Sequence, residues 1–174
     1  MKYIGIDGCK GGWFAVALES CSAKSWQMEL ITQLTEISGA LKQANLVLID
    51  IPIGMRSVDC KERKCDLEAR KVLSPLRHSS VFPVPCRKAL KMETYTEASA
   101  MNFGCTGRKL SRQTWNIMPK IREVDLYIRR RKLHGRIREM HPEVVFWALN
   151  NKQPMEHPKR TDEGFDERVK VLEP

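Results

Sequence analysis

The stretch YIGIDGCKGGWFAVALES, residues 3–20, decides the fold of this chain. It consists of two apolar runs joined by a glycine-rich turn, whose glycines permit the positive φ angles of a tight reversal. We therefore predict a β-hairpin with strands at Tyr3–Asp7 and Trp13–Leu18. Neither run alternates cleanly, which is typical of strands buried on both faces in an α/β sheet. A carboxylate at such a strand end needs a cation or hydrogen-bond donors, and capping of the turn by Asp7 is the ordinary alternative.

Length, composition and charge limit the class of protein. The chain has 174 residues, 42% of them hydrophobic, so we expect a single domain over residues 1–174. The net charge of +9 favours an anionic partner, with nucleic acid first, although many basic enzymes bind none. No apolar run reaches the roughly 20 residues that cross a bilayer, and the N-terminus lacks a signal-peptide pattern. A cytoplasmic protein without a membrane partner is therefore expected.

A third strand and a crossover are predicted after the hairpin. Alternating apolar residues over 26–30 indicate a half-buried strand at a sheet edge. Helical spacing over residues 33–44 predicts an amphipathic helix that Thr32 caps. The apolar run Leu46–Ile51 then predicts a buried strand. Because strand–helix–strand crossovers are right-handed, this strand should lie parallel within the same sheet.

Asp7 and Asp50 occupy matching positions in two of the predicted strands. Asp7 lies three residues after Ile4, and Asp50 lies three residues after Val47. If the strands are neighbours in similar register, the carboxylates meet at the carboxyl ends, where open α/β sheets hold ligands. Two acids in one apolar setting repel each other unless a cation lies between them or one is protonated. A divalent metal ion is the simplest answer.

Residues 55–135 carry few strand signals and many charges, so we interpret them as a helical insertion within the domain. The predicted helices in this span are 59–73, 93–103 and 113–131. Pro119 is expected to kink or start the last of these. The densest positive run, Arg129–Lys132, is explained by a solvated helix end, and a phosphate-contacting surface is the alternative.

The last part of the chain returns to the sheet. Residues 136–141 are predicted to form a short strand that carries Glu139, a third acid at a strand end. Pro142 then opens a helix, because proline is favoured in the first turn. A final helix is predicted after Thr161, which is suited to cap it.

Six segments in order carry a family resemblance: IGIDGCKGGW, LIDIPIG, SSVFPVPCRKAL, QTWNIMPKIREVD, EMHPEVVFWALN and KRTDEGFDER. They resemble domain-of-unknown-function family 429, whose members are described as predicted ribonuclease H-like nucleases. The resemblance covers nearly the whole chain. It implies a ribonuclease H-like α/β fold: a mixed sheet with antiparallel leading strands, a parallel fourth strand and flanking helices.

The resemblance also implies a site and an activity. In that superfamily, acids on the first and fourth strands help to hold divalent metal, which carries over to Asp7 and Asp50, with Glu139 as the third candidate. The implied protein is a nuclease in which two Mg²⁺ or Mn²⁺ ions activate water for attack on a phosphodiester. The candidate phosphate contacts are Lys10, Lys120 and Arg122.

Other functions remain open. Superfamily nucleases bring a further acid from a late helix, and family members look longer than this chain. Either Glu143, Glu163 or Asp166 substitutes, or activity is weak or absent. The main alternative is therefore an inactive ribonuclease H-like module that binds nucleic acid or a protein partner. An actin- or hexokinase-like phosphotransferase is less favoured, because no second glycine-rich phosphate loop follows. Homo-oligomerisation and a preference for DNA or RNA are left open.

Overall fold

The computed structural model of the protein describes residues 2–19, 25–56, 61–133 and 135–173. The first residues of the helix predicted at 59–73 lie outside these ranges. Within them the chain has a mixed α/β architecture, with a five-stranded mixed sheet and flanking helices.

The five strands form one sheet in the order β3-β2-β1-β4-β5. They are β1 (Tyr3–Cys9), β2 (Gly12–Leu18), β3 (Trp26–Ile31), β4 (Leu46–Ile49) and β5 (Ile137–Glu139). Neighbouring strands among the first three are antiparallel, whereas β4 is parallel to β1 and β5 is parallel to β4. The predicted hairpin, edge strand and parallel crossover strand are present. The prediction that β3 is half-buried is wrong, because five of its six residues are exposed, among them the apolar Trp26, Met28 and Leu30.

Six α-helices lie in the described ranges. They are α1 (Ser38–Gln43), α2 (Lys64–Val72), α3 (Tyr95–Thr106), α4 (Arg112–Arg131), α5 (Pro142–Leu149) and α6 (Asp162–Leu172). Two short 3-10 helices are added at His78–Ser80 and Ala89–Lys91. The described residues between β4 and β5 form only helices, turns and loops. None of the described helices combines the length and the apolar character that a bilayer crossing requires.

Helix boundaries follow local hydrogen bonds. Helix α6 begins after Thr161, whose hydroxyl accepts the backbone N–H of Gly164 as predicted. Pro119 lies inside α4 and does not start it. Helix α1 is shorter than the predicted 33–44, because the Glu36 carboxylate accepts both the backbone N–H and the hydroxyl of Thr32. Residues 33–37 therefore form turns, and the helix begins at Ser38 without a cap from Thr32.

A single buried core joins the sheet to α1 and α4. Its strand members are Ile4, Ile6, Trp13, Ala15, Val47, Ile49 and Ile137, and its helix members include Leu41, Met118, Ile121, Val124 and Ile128. Trp13 is fully buried and donates its indole N–H to Glu123 of α4 at 3.0 Å. The other Glu123 oxygen accepts the backbone N–H of Leu34 at 2.7 Å. This carboxylate therefore ties α4 to the hairpin and to the start of the crossover.

Substitution of Gly12 tests how closely β2 and β3 approach. A Cβ at Gly12 would lie 2.0 Å from the carbonyl oxygen of Ile31, a distance that requires the backbone to move. We expect Gly12→Ala to lower the free energy of unfolding, measured by urea denaturation, by about 2 kcal/mol or more. Gly39→Ala in α1 is the control, since its Cβ has no neighbour within 4 Å and alanine favours helices. Equal losses in both variants would contradict this interpretation.

Candidate functional site

Asp7 and Asp50 lie side by side at the carboxyl ends of β1 and β4. Ile6 pairs with Ile49 in the parallel register, and Asp7 and Asp50 occupy the next step. The ladder continues through that step, because the Asp50 N–H donates to the Ile6 carbonyl at 3.0 Å. Register partners point to the same face of a sheet, and neighbouring strands lie about 4.8 Å apart. The two carboxylates therefore share one face, one strand spacing apart.

A cavity of about 620 Å³ opens at this edge of the sheet. Asp7 is exposed and Asp50 is half-buried in its wall. The basic residues that line the cavity are Arg77, Lys120, His141, Lys159 and Arg160. Arg77 is held by the backbone carbonyls of Met155 and Glu156. Carboxylates and cations thus share one concave surface, which suits a ligand that carries both a metal ion and negative charge.

Asp50 lies in an environment that disfavours its charge. Burial raises the pKa of Asp50 to about 6, and the nearby acids Asp7 and Glu139 add to the rise. His141 and Lys159 act in the opposite direction. A carboxylate in this situation is stabilised by a proton or by a bound cation. A bound cation would therefore offset the cost of charging Asp50.

His141 lines the same cavity and is a residue that the sequence reasoning missed. Its Nε2 atom lies 3.3 Å from the carbonyl oxygen of Ser80. Its Nδ1 atom is buried and has no hydrogen-bond partner among the described residues. Because a carbonyl oxygen can only accept, the contact assigns a proton to Nε2. The sequence feature that could have indicated His141 is its position two residues after Glu139, at the end of a predicted strand.

Glu139 reaches the cavity, but its carboxylate is engaged by Arg63. The two terminal guanidinium nitrogens of Arg63 lie 2.7 and 2.8 Å from the two Glu139 oxygens. The Ile53 N–H also donates to Oε2 of Glu139, at 2.8 Å. The register explains this arrangement: Glu139 pairs with Ile49, so its side chain projects to the face opposite that of Asp50. The metal role of Glu139 stays a prediction, and the geometry favours a structural one.

Arg63 is a buried cation shared by two acids. Its Nε and one terminal nitrogen bind the two oxygens of Asp66 at 2.8 and 2.5 Å, in addition to Glu139. It also donates to the Ile53 carbonyl at 2.7 Å. Burial would lower the pKa of Arg63, but the hydrogen bonds to Glu139 and Asp66 outweigh it and raise this pKa. The cluster joins α2, β5 and the segment after β4, and no local sequence pattern indicates it.

The three predicted phosphate contacts lie in different places. Lys120 lines the cavity, although its ammonium group donates to the Gly12 carbonyl and lies 4.5 Å from the ring centroid of Trp13. Lys10 is exposed in the hairpin turn, outside the cavity lining. Arg122 donates to a backbone carbonyl at 3.0 Å and is also outside that lining. Lys159 and Arg160, between α5 and α6, are better placed to meet a ligand in the cavity.

The late acids that could supply a further ligand differ in position. Glu143 lines the cavity, but both of its oxygens bind Arg168, at 2.7 and 3.0 Å, in a buried ion pair. Glu163 and Asp166 are exposed on α6 and do not line it. Across the described parts of the chain, no three His, Cys, Asp or Glu side chains are grouped closely enough to hold a metal ion. Two carboxylates thus form the candidate metal site.

Comparison with known proteins gives one family. A family model described as "Protein of unknown function (DUF429)" matches residues 5–174. Neither the curated proteins nor the solved structures contain a significant match to the chain. The match therefore covers almost the whole chain and adds no chemistry to what the residues themselves indicate.

Without metal, the difference in stability between Asp50→Asn and the parent should depend on pH. The folded protein retains the Asp50 proton up to about pH 6, whereas the unfolded chain loses it near pH 4, so the cost of the buried charge grows across this interval. We expect the variant to be more stable than the parent by about 1 to 2 kcal/mol near pH 8, after allowance for partial exposure, and equally stable near pH 4. Urea denaturation in EDTA measures this difference.

The control for this prediction is an acid on the surface. Asp166→Asn, at an exposed position of α6, should change the unfolding free energy little at either pH. A gain for Asp50→Asn that is the same at both pH values would show that the effect does not arise from the charge.

Proposed function

We propose that this chain, which belongs to the DUF429 family, is a metal-dependent phosphodiesterase that acts on nucleic acid through a ribonuclease H-like fold. The observation that carries the proposal is the adjacent pair Asp7 and Asp50 at the carboxyl ends of neighbouring parallel strands. The pair opens into a cavity with basic walls, where a phosphate group can be neutralised.

The topology of the sheet supports the fold part of the proposal. Strands β1 to β3 are antiparallel in sequence order, and β4 returns to lie parallel beside β1 after a crossover that contains α1. Helix α4 precedes β5, and helix α5 follows it. Antiparallel leading strands, a parallel fourth strand and flanking helices are the features that the family resemblance implies.

The donor set suits Mg²⁺ or Mn²⁺. Such ions prefer oxygen ligands, and Mg²⁺ is commonly held by one or two carboxylates together with retained water and substrate phosphate. Asp7 and Asp50 supply two carboxylates on one face, and a bound cation would offset the cost of burial that raises the pKa of Asp50. When bound, the ion supplies Lewis-acid activation of water and neutralisation of phosphate charge.

The other residues of the cavity have distinct roles in this proposal. Lys159 and Arg160 attract the phosphate backbone, because they enter the cavity lining from a loop and place two cations near the acids. Lys120 fixes the hairpin turn next to Asp7 through the Gly12 carbonyl. Glu139 positions the segment after Asp50 through the Ile53 N–H.

A module that binds nucleic acid without cleaving it is the second candidate. Two observations favour it: Glu139 is engaged by Arg63, and the described residues offer no group of three metal ligands. Salt-dependent binding of nucleic acid without Mg²⁺-dependent cleavage would identify such a module.

Titration of Mn²⁺ into the full chain tests the metal site. We expect Asp7→Asn to weaken Mn²⁺ binding at least about tenfold in calorimetry, because it removes one of two protein ligands. Mn²⁺-dependent cleavage of single-stranded, duplex or branched nucleic acid should be lost in the same variant. Glu68→Gln, at an exposed acid on α2, is the control and should match the parent in both assays. Absence of Mn²⁺ binding by the parent would refute the metal site.

Glu139→Gln separates a structural role from ligation. The variant removes one of the two acids that pair with Arg63 while Asp66 remains, so we expect the free energy of unfolding to fall by about 1 to 3 kcal/mol. The affinity for Mn²⁺ should stay within about threefold of the parent. Exposed Glu68→Gln on α2 is the control for stability. A large loss of Mn²⁺ affinity with unchanged stability would instead make Glu139 a ligand.

A further inference from the structure

Strand β3 has an edge and a face that no other described part of the chain covers. Among the described strands it pairs only with β2, and five of its six residues are exposed. Trp26, Met28 and Leu30 point to the same face and are 55%, 63% and 72% exposed. In the register with β2 they lie opposite Leu18, Val16 and Phe14 respectively. The two strands therefore present a contiguous apolar strip at the border of the sheet.

This edge lacks the features that usually prevent strand pairing. Edge strands of monomeric proteins are commonly protected by lysine, proline, a bulge or very short length. The sequence of β3, WQMELI, contains neither lysine nor proline, and its register with β2 is regular over all six residues. Glu29 is its single charged residue. The outer N–H and C=O groups of β3 thus form a template for another strand.

We propose that β3 pairs with β3 of a second copy of this chain, antiparallel and about a twofold axis at Met28. The two five-stranded sheets then become one continuous sheet. In this register Met28 lies opposite Met28, Trp26 opposite Leu30, and Gln27 opposite Glu29. Directly opposite residues share a face, so the apolar strips of the two copies join, and each Glu29 carboxylate meets an amide donor.

Other registers of the pairing between the two β3 strands are less favourable. A shift of the pairing by one residue flips one copy, so that its polar face lies beside the apolar strip of the other. An axis at Glu29 would place two carboxylates directly opposite each other, which is destabilising. An axis at Gln27 would leave Leu30 without an opposite strand residue. Charge and apolar pattern therefore select the axis at Met28.

The size of this interface indicates its strength. A specific interface buries at least about 1,000 Å² in total, and one pair of six-residue strands lies at the small end of that range. We therefore expect a dissociation constant in the micromolar range rather than the nanomolar range. The net charge of +9 on each copy opposes association, so added salt should strengthen the dimer by screening.

Sedimentation velocity of the full chain over about 1 to 200 µM tests the proposal. We expect a reversible monomer–dimer equilibrium in the parent. Met28→Lys places two ammonium groups opposite each other and should weaken the dimer at least about tenfold. Below the dissociation constant, where the parent is monomeric, the melting temperature of the variant should match that of the parent because the side chain is already exposed. Phe165→Lys is the matched control, since Phe165 is 65% exposed on α6, and it should leave the dimer intact.

Oxidative cross-linking tests the register independently. In a dimer of the Met28→Cys variant, the two introduced thiols would lie directly opposite each other, within the reach of a disulfide. In the Leu30→Cys variant, the two introduced thiols would be about 13 Å apart along the strands. This variant should not cross-link more than the parent, which serves as the control for cross-linking through the native cysteines. A parent that stays monomeric at all concentrations, a dimer insensitive to Met28→Lys, or preferential cross-linking through Leu30→Cys would overturn the proposal.

Discussion

The parallel register between β1 and β4 is the constraint on which the candidate site depends. Ile6 and Ile49 are buried at 4% and 1% exposure on one face, and the step that follows places Asp7 and Asp50 together on the other. A slip of one residue would exchange these faces, burying a carboxylate and exposing an isoleucine. The same apolar pattern that holds the core therefore also sets the position of the two acids.

Much of this arrangement could be predicted from the sequence because its causes are local. The hairpin, the crossover and the strand that ends at Asp50 follow from short apolar runs and turn residues. The pairing of Asp7 with Asp50 follows from their equal distance along similar strands. The start of α1 could not be predicted in the same way, because the Glu36 carboxylate competes for the backbone groups that would have begun the helix.

The positions of the other cavity residues depend on contacts between distant parts of the chain. Glu139 was expected beside the other two acids, but its face is set by the register of β5, and its partner Arg63 is 76 residues away. The orientation of the His141 ring depends on the carbonyl of Ser80, 61 residues away. Neither partner follows a spacing that a helix or a turn imposes. Strand patterns therefore located the edge of the cavity but not the ionic network behind it.

The chain connectivity also determines when this edge is completed during synthesis. The hairpin and β3 pair over short sequence distances, whereas Ile53 and Glu139 meet across 86 residues. At translation rates of about 5 to 20 residues per second, β5 emerges roughly 4 to 18 seconds after β4. During that interval the outer edge of β4, Leu46–Ile49, has no strand to pair with. The outer backbone groups of β4, beside Asp50, therefore have only water to bond with until β5 is made.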